Sequence, residues 1–187
     1  MRIGIVCYAS VGGSGVLATE LGHALATIGH EVHVVSSEKP FRWRPDVPGL
    51  SFERVEVPSY PLFHEPQYLL ALTNTLVRVS RERKLDILHA HYAVPHATAA
   101  YLAVQMLLSH GVKAPKIVTT LHGTDTTLLG QDPSYRDAIE HALSESDAIT
   151  TVSENLRRET LATFVLKRPV EGMTAQAKLA EQRGLSS

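Results

Sequence analysis

A glycine-rich loop near the start of the chain is the first place where chemistry could occur. Gly12-Gly-Ser-Gly15 follows a short apolar run, Arg2–Tyr8, and precedes a helical pattern. Such a turn leaves backbone N–H groups without partners beside the positive end of a helix dipole. Phosphate and carboxylate groups bind readily to this arrangement. The loop therefore predicts anion binding by Gly13, Ser14 and Gly15, with a purely structural strand-to-helix connection as the alternative.

Polar residues also follow three later predicted strands. They are found in His89-Ala-His-Tyr92, in Thr119-Thr-Leu-His-Gly-Thr-Asp125 and in Ser153-Glu-Asn155. Because parallel strands deliver their carboxyl ends to one edge of a sheet, these residues predict a polar cleft beside the glycine loop. His122 is the main candidate for ligand contact, since the glycine after it lets a ligand approach closely, and a histidine packed in the core is the alternative. His91 and Asp125 are further candidates for the cleft.

Other kinds of site find less support in the same residues. His89 and His91 are two apart on a strand and share a face, so with His96 or His122 they could imitate a zinc site. Ordinary packing is the favoured interpretation, because no nearby cysteine or pair of carboxylates completes a ligand set. Ser14 lacks the sequence of a nucleophile elbow, and no P-loop lysine follows the glycines. We therefore expect no metal and no nucleophilic or phosphorylating chemistry.

A dinucleotide site is the alternative for the glycine loop. Gly13–Ala18 matches the pattern G-x-G-x-x-A, and Glu38 after the second predicted strand could bind a ribose. Three residues, Ala9 to Val11, separate the first strand from the glycines, whereas a dinucleotide turn needs its first glycine close to the strand end. An NAD-dependent oxidoreductase is thus the second hypothesis.

The elements that must position these residues alternate regularly between strand and helix. Apolar runs predict six strands, at Arg2–Tyr8, Glu31–Ser37, Phe52–Val57, Asp86–Tyr92, Lys116–His122 and Ala148–Ser153. Helical spacing predicts helices after the glycine loop and at Tyr68–Lys84, Pro95–His110, Pro133–Ser146 and Glu154–Phe164. This alternation predicts an α/β fold with a doubly wound, mostly parallel sheet that ends near Arg168.

Composition limits the function classes. The chain has 187 residues, enough for one domain, and its formal net charge of -1 gives no general attraction to nucleic acid or anionic lipid. Cys7 is the only cysteine, so no disulfide framework is possible. No apolar stretch is long enough for a membrane span, and the N-terminus is a poor match to a signal peptide. We expect a cytoplasmic protein.

Several separated motifs resemble the N-terminal domain of family 4 retaining glycosyltransferases of the GT-B architecture. The resemblance runs from Met1 to about Val170 and includes Gly12-Gly-Ser-Gly15, Glu20-Leu-Gly-His23, His89-Ala-His-Tyr92 and Thr120-Leu-His-Gly-Thr-Asp125. Tyr60-Pro-Leu-Phe63 and Ala90–His96 resemble a narrower branch. Members of that branch transfer N-acetylglucosamine from UDP-N-acetylglucosamine to L-malate, the first step of bacillithiol biosynthesis.

The resemblance implies roles for individual residues and for a nucleotide-sugar donor. It implies that Gly13, Ser14 and Gly15 lie near the donor diphosphate or a malate carboxylate. Ser14, Tyr92 and Thr120 would contact malate, and His122 would be the catalytic residue that binds the donor sugar. No metal or organic cofactor is implied, and the leaving phosphate itself assists deprotonation of the acceptor.

The chain leaves the family pattern near Glu171. We expect residues 1–168 to form the Rossmann-like acceptor domain and residues 169–187 to form a divergent, poorly ordered tail. The C-terminal donor domain is expected to be absent from this chain, as in a truncated gene product or one half of a split enzyme, so the chain alone would be inactive or a non-catalytic anion-binding fragment. Tyr60, His64 and Tyr68 are expected to form a wall or lid.

Overall fold

A parallel β-sheet forms the centre of the molecule. The computed structural model describes residues 1–58 and 67–172. Within these residues, all pairings between neighbouring strands are parallel, in the order β3-β2-β1-β4-β5-β6-β7. The strands are β1 (Arg2–Val6), β2 (Glu31–Ser36), β3 (Leu50–Arg54), β4 (Ile87–His91), β5 (Lys116–Leu121), β6 (Ala148–Thr151) and β7 (Val170–Gly172).

Helices cover both faces of this sheet. They are α1 (Gly13–Thr27), α2 (Tyr68–Arg83), α3 (Thr98–Ser109), α4 (Thr124–Thr127), α5 (Pro133–Ser144) and α6 (Glu154–Thr163). A π-helical turn, Ala93–Ala97, precedes α3, and a short 3-10 turn, Leu129–Gln131, precedes α5.

The alternation of side chains along β1 shows why both faces must be covered. Ile5 packs with Ala18 of α1 on one face, and its neighbour Val6 packs with Leu76 of α2 on the other. All four residues are fully buried. Strands buried on both faces carry continuous apolar runs, and this is the pattern from which the sequence predicts them.

The strand order places a topological switch at β1. Ile5 is in register with Val34 of β2 on one side and with His89 of β4 on the other. The chain therefore leaves the carboxyl ends of β1 and β4 in opposite directions, which opens a crevice between their loops. In open α/β sheets, ligands bind in this crevice.

Most predicted elements are confirmed, and three are corrected. The sheet does not end near Arg168, because Val170–Gly172 pairs with β6 as a seventh strand. The third strand is Leu50–Arg54 rather than Phe52–Val57. The predicted helix Pro95–His110 is α-helical only from Thr98 to Ser109, because its first residues belong to the π-helical turn in which Val94 is extended (φ -117°, ψ 134°) before the proline.

Across residues 1–58 and 67–172, no helix is both long and apolar enough to cross a membrane.

Candidate functional site

A polar cleft of about 610 Å³ lies at the switch point of the sheet. Its lining comes from the loops and helix starts that follow four strands, β1, β4, β5 and β6. The lining residues are Ser10, Gly12, Gly13, Ser14, Leu17, Tyr92, His122 and Val152. The structure thus brings Gly13, Ser14, Tyr92 and His122, which the sequence predicts for this edge, into one cleft.

Helix α1 presents its N-terminus to the cleft. Gly12 is the N-cap residue and has no side chain to cap the helix, and the first helical hydrogen bond runs from the Val16 N–H to the Gly12 carbonyl at 3.2 Å. The amides of the first helical turn thus have no acceptor within the helix. The helix begins at Gly13, so two predicted loop glycines lie within its first turn rather than before it.

The two glycines of this first turn have different surroundings. A Cβ atom on Gly13 would have no atom within 4 Å, so its backbone is open towards the cleft. A Cβ atom on Gly15 would lie 2.5 Å from the Ser10 carbonyl oxygen and 2.9 Å from that of Tyr8. Gly15 is therefore required for the packing of helix α1 on the preceding loop, and its predicted contact with an anion stays a prediction.

Two serine hydroxyls accompany these amides. The Ser10 and Ser14 Oγ atoms are 3.5 Å apart, and both residues are half-buried and line the cleft. Hydroxyl groups and amide N–H groups together can donate several hydrogen bonds to one phosphate or carboxylate. This end of the cleft can bind an anion without a cationic side chain.

Tyr92 forms a second wall and has an unusual backbone. Its φ of 85° and ψ of 144° lie outside the regions that side-chain-bearing residues normally adopt. The Tyr92 N–H donates to the Thr120 carbonyl at 3.0 Å, and the next N–H, of Ala93, donates to Asp125 Oδ1 at 2.9 Å. The surrounding structure thus fixes the peptides on both sides of Tyr92, as expected where strain is kept at a binding site.

A row of histidine rings runs beneath the cleft and reaches it at His122. The rings of His89 and His91 stack with centroids 4.9 Å apart, and those of His91 and His122 with centroids 5.1 Å apart. Nδ1 of His91 and Nε2 of His122 are joined by a hydrogen bond of 2.9 Å. The prediction that His89 and His91 share a face is confirmed.

Burial keeps these histidines neutral at physiological pH. It lowers the pKa of His89, His96 and His122 to about 4, and it lowers the pKa of His91 well below 6.5. In each of the four, loss of contact with water is the largest cause, because a charged imidazolium is poorly stabilised away from solvent. His122 is the one that reaches the cleft, where it acts as a neutral polar group.

Thr120, His91 and Asp125 lie beneath the cleft and do not line it. The Thr120 hydroxyl is buried, 2.7 Å from His89 Nε2 and 2.7 Å from the Thr150 hydroxyl. Burial raises the pKa of Asp125 to about 6, although four backbone N–H groups lower it. The predicted contact of Thr120 with an acceptor stays a prediction, and the structure gives Asp125 a structural role under Tyr92.

Several lining residues were not singled out by the sequence. Ser10 and Val152 follow strand ends, and that position was the signal available for them. Leu17 gave no signal because it has the pattern of an ordinary helix residue. Tyr60 and His64, predicted as wall or lid, lie outside the described residues, whereas the ring of Tyr68 lies 6.3 Å from that of Tyr8 near the cleft.

A metal site and a dinucleotide site are the alternatives that the sequence raises for this edge of the sheet. Among the residues that the structure describes, no group of three or more histidine, cysteine, aspartate or glutamate side chains could hold a metal ion. Glu38, the proposed ribose partner, is exposed beyond the end of β2. Residues 7–12 separate β1 from α1, a longer connection than a dinucleotide turn uses.

Comparisons with known proteins agree with this geometry. The model of the family "Glycosyltransferase Family 4" matches residues 11–171. N-acetyl-alpha-D-glucosaminyl L-malate synthase of Bacillus anthracis is 51% identical over 160 residues, which are 86% of this chain and 41% of that protein. The chain thus spans less than half the length of this relative.

Solved structures show the same fold at low sequence identity. A glycosyltransferase from Rickettsia africae matches with a TM-score of 0.67 at 16% identity, over 100% of this chain and 50% of that one. Sucrose-phosphate synthase from Thermosynechococcus elongatus matches with a TM-score of 0.62 at 16% identity, over 91% of this chain and 46% of that one. The sheet is therefore a Rossmann-like domain of the kind that forms the N-terminal half of GT-B glycosyltransferases.

Proposed function

Because the chain belongs to glycosyltransferase family 4, we propose that it forms the acceptor-side half of an enzyme that transfers N-acetylglucosamine from UDP-N-acetylglucosamine to L-malate. The relative that supports this substrate pair is 51% identical and bears the name of that synthase. The proposal includes a reaction in the cytoplasm, as part of bacillithiol biosynthesis, without a metal or organic cofactor. The donor-binding half would be a further domain, on this or a separate polypeptide.

The anion-binding end of the cleft carries the proposal. L-malate has two carboxylates, and the donor has a diphosphate, so both substrates need hydrogen-bond donors for negative oxygens. The amides of Gly13 and Ser14 and the hydroxyls of Ser10 and Ser14 are grouped at this end. Backbone N–H groups at a helix N-terminus also stabilise the negative charge that develops on a departing phosphate, since they need no rearrangement.

The other wall offers different contacts. Tyr92 and His122 are neighbours, with ring centroids 5.0 Å apart, and they present a phenol and a neutral imidazole to the cleft. These groups suit the hydroxyls of a sugar or of malate. No carboxylate lines the cleft in residues 1–58 and 67–172, so the proposal assigns deprotonation of the malate hydroxyl to the leaving phosphate of the donor.

Calorimetric titration of the chain with L-malate, UDP-N-acetylglucosamine and NAD tests the proposal. We expect L-malate to bind, and Ser14→Ala to weaken its binding by about tenfold or more, the effect of one hydrogen bond to a charged group. Ser144→Ala, a change on helix α5 away from the cleft, is the matched control and leaves binding unchanged.

The same titration separates the proposal from the alternatives. Binding of NAD that is lost in Glu38→Ala would contradict it in favour of an oxidoreductase. Unchanged L-malate binding in Ser14→Ala would contradict the assigned acceptor site. If L-malate binds but the chain combined with a donor-binding half of the family transfers no sugar, the protein is a non-catalytic anion-binding domain.

A further inference from the structure

The contact between His91 and His122 determines which nitrogen of each ring carries the hydrogen. Nδ1 of His91 lies 2.9 Å from Nε2 of His122, so one of these two nitrogens carries the hydrogen that the other accepts. His122 lines the cleft, and its second nitrogen, Nδ1, has no hydrogen-bond partner among the described residues. The second nitrogen of His91, Nε2, is buried and also has no partner in the described part of the chain.

Two arrangements of the hydrogens are compatible with this contact when both rings are neutral. In the first, His91 donates from Nδ1, and the hydrogen of His122 must then be on Nδ1, facing the cleft. In the second, His122 donates from Nε2, and the hydrogen of His91 must then be on its buried Nε2. The two nitrogens outside this contact, Nε2 of His91 and Nδ1 of His122, are the outer nitrogens. Their hydrogen-bond partners decide which of the two arrangements forms.

The surroundings of His91 favour the first arrangement. The second would leave an N–H group buried with no acceptor, and buried N–H groups without partners are rarer in proteins than under-satisfied acceptors. The first leaves only a lone pair on that nitrogen. His122 does not oppose this choice, because its outer nitrogen meets solvent or a ligand in both arrangements.

We infer that His91 is a positioning residue that holds His122 in the Nδ1–H tautomer, so that His122 presents a hydrogen-bond donor to the cleft. The group it recognises is then an oxygen with free lone pairs, such as a sugar hydroxyl or a phosphate oxygen. His122 cannot act as a general base in this state, since its only lone pair accepts the hydrogen bond from His91. The choice of ligand group rests on the proposed function, whereas the tautomer does not.

The inferred tautomer is the less common one. A histidine side chain in water favours the hydrogen on Nε2, so an Nδ1–H tautomer requires a specific hydrogen bond such as the one from His91. Which tautomer forms in a row of histidines depends on which of the outer nitrogens is buried. Here the buried nitrogen belongs to His91 and the accessible one to His122.

Long-range hydrogen–nitrogen correlation spectra of the ¹⁵N-labelled chain at neutral pH test the inference directly. Protonated and unprotonated imidazole nitrogens resonate far apart, and the His122 signals are assigned by their loss in His122→Gln. We expect a single tautomer for His122, with the hydrogen on Nδ1. A hydrogen on Nε2 in the wild-type chain would overturn the inference.

Two substitutions of His91 provide the matched pair. The Asn amide nitrogen occupies nearly the place of a histidine Nδ1, so His91→Asn keeps a donor and His122 stays in the Nδ1–H form. His91→Leu removes the donor, and His122 changes to the Nε2–H form. If His122 keeps the Nδ1–H form in folded His91→Leu, His91 is not its cause.

Control measurements keep the outcome interpretable. His110 is exposed and remote from the cleft, and its signals should be identical in all variants. If His91→Leu fails to fold, as judged by circular dichroism, the wild-type spectrum and His91→Asn still decide the question. The spectra require no substrate, so a failure of L-malate or UDP-N-acetylglucosamine to bind would overturn the proposed function without affecting the tautomer.

Discussion

Mild acid is expected to destabilise this domain through its buried histidines. Burial lowers the pKa of His89, His96 and His122 to about 4, and that of His91 well below 6.5. The unfolded chain takes up these protons near the ordinary histidine value, whereas the folded chain takes them up only at lower pH. Between these values the unfolded state binds more protons, so the free energy of unfolding falls as the pH falls.

The size of the effect follows from the two pKa values of each group. From about pH 7.5 to about pH 5.5, a histidine with a pKa of about 4 when folded and 6.5 when unfolded lowers the free energy of unfolding by about 1.3 kcal/mol. His89, His96 and His122, whose folded pKa values are all about 4, together lower the free energy of unfolding by about 4 kcal/mol. Asp125 acts in the opposite direction, because burial raises its pKa from 3.8 to about 6. Its proton uptake raises the free energy of unfolding by about 0.8 kcal/mol over the same pH interval.

The net loss of about 3 kcal/mol is a large part of the roughly 5–15 kcal/mol that stabilises a typical domain. Chemical denaturation followed by circular dichroism at a series of pH values measures it. His89→Gln should reduce the loss to about 2 kcal/mol, since one titrating group is removed. Asp125→Asn should increase it to about 4 kcal/mol, since the opposing group is removed while the amide oxygen can still accept from the Ala93 N–H.

The two variants change the loss of unfolding free energy in opposite directions, His89→Gln decreasing it and Asp125→Asn increasing it. A wild-type loss below about 1 kcal/mol between the two pH values would show that the histidines are not held neutral by burial. Shifts of the same sign in both variants would show that the loss has another origin. His91, His23 and His33, whose pKa values are also lowered by burial, add the same further loss in all three proteins, so the differences between the proteins are unaffected.

The remaining predictions concern stability and are measured by urea denaturation. Gly15→Ala should cost about 1–3 kcal/mol, because its Cβ would lie 2.5 Å from a backbone oxygen, whereas Gly13→Ala, with no atom within 4 Å, should change the free energy of unfolding by less than about 0.5 kcal/mol. Equal effects of the two would contradict the packing role of Gly15. Ser153→Ala should cost about 1 kcal/mol, because its hydroxyl accepts from the Leu156 N–H at 3.2 Å and caps helix α6. An unchanged stability relative to Ser144→Ala would show that this cap contributes nothing.

The sheet could be predicted largely from the sequence, and its last strand shows the limit. Five strands contain apolar residues that are buried within the sheet, so they can be recognised without any tertiary information, although histidines interrupt β4 and threonines interrupt β5. The strand Val170–Gly172 follows Pro169 and has only three residues, so it is too short for the alternation of a strand to be recognised in the sequence. Its place depends on pairing with β6, a contact that only the folded chain provides.

The sequence predicts where the candidate site lies in the sheet, but not which of its residues line the cleft and which are buried beneath it. The ends of parallel strands must meet at one edge, and this rule located Ser14, Tyr92 and His122 correctly. It could not separate Thr120 from His122, which are two apart and were both assigned to the cleft. The difference arises from neighbouring strands, because His89 and Thr150 hydrogen-bond the Thr120 hydroxyl beneath the surface.

The acid sensitivity of the domain and the proposed donor role of His122 have a common cause. An anionic ligand raises the pKa of a nearby imidazole, so His122 remains a neutral hydrogen-bond donor beside a diphosphate because its own burial lowers its pKa to about 4. A lysine or arginine there would bind a diphosphate by charge, but it would attract any anion equally well. A neutral donor of fixed orientation selects by the position of the ligand oxygen instead, and the loss of stability in acid is the consequence of keeping it neutral.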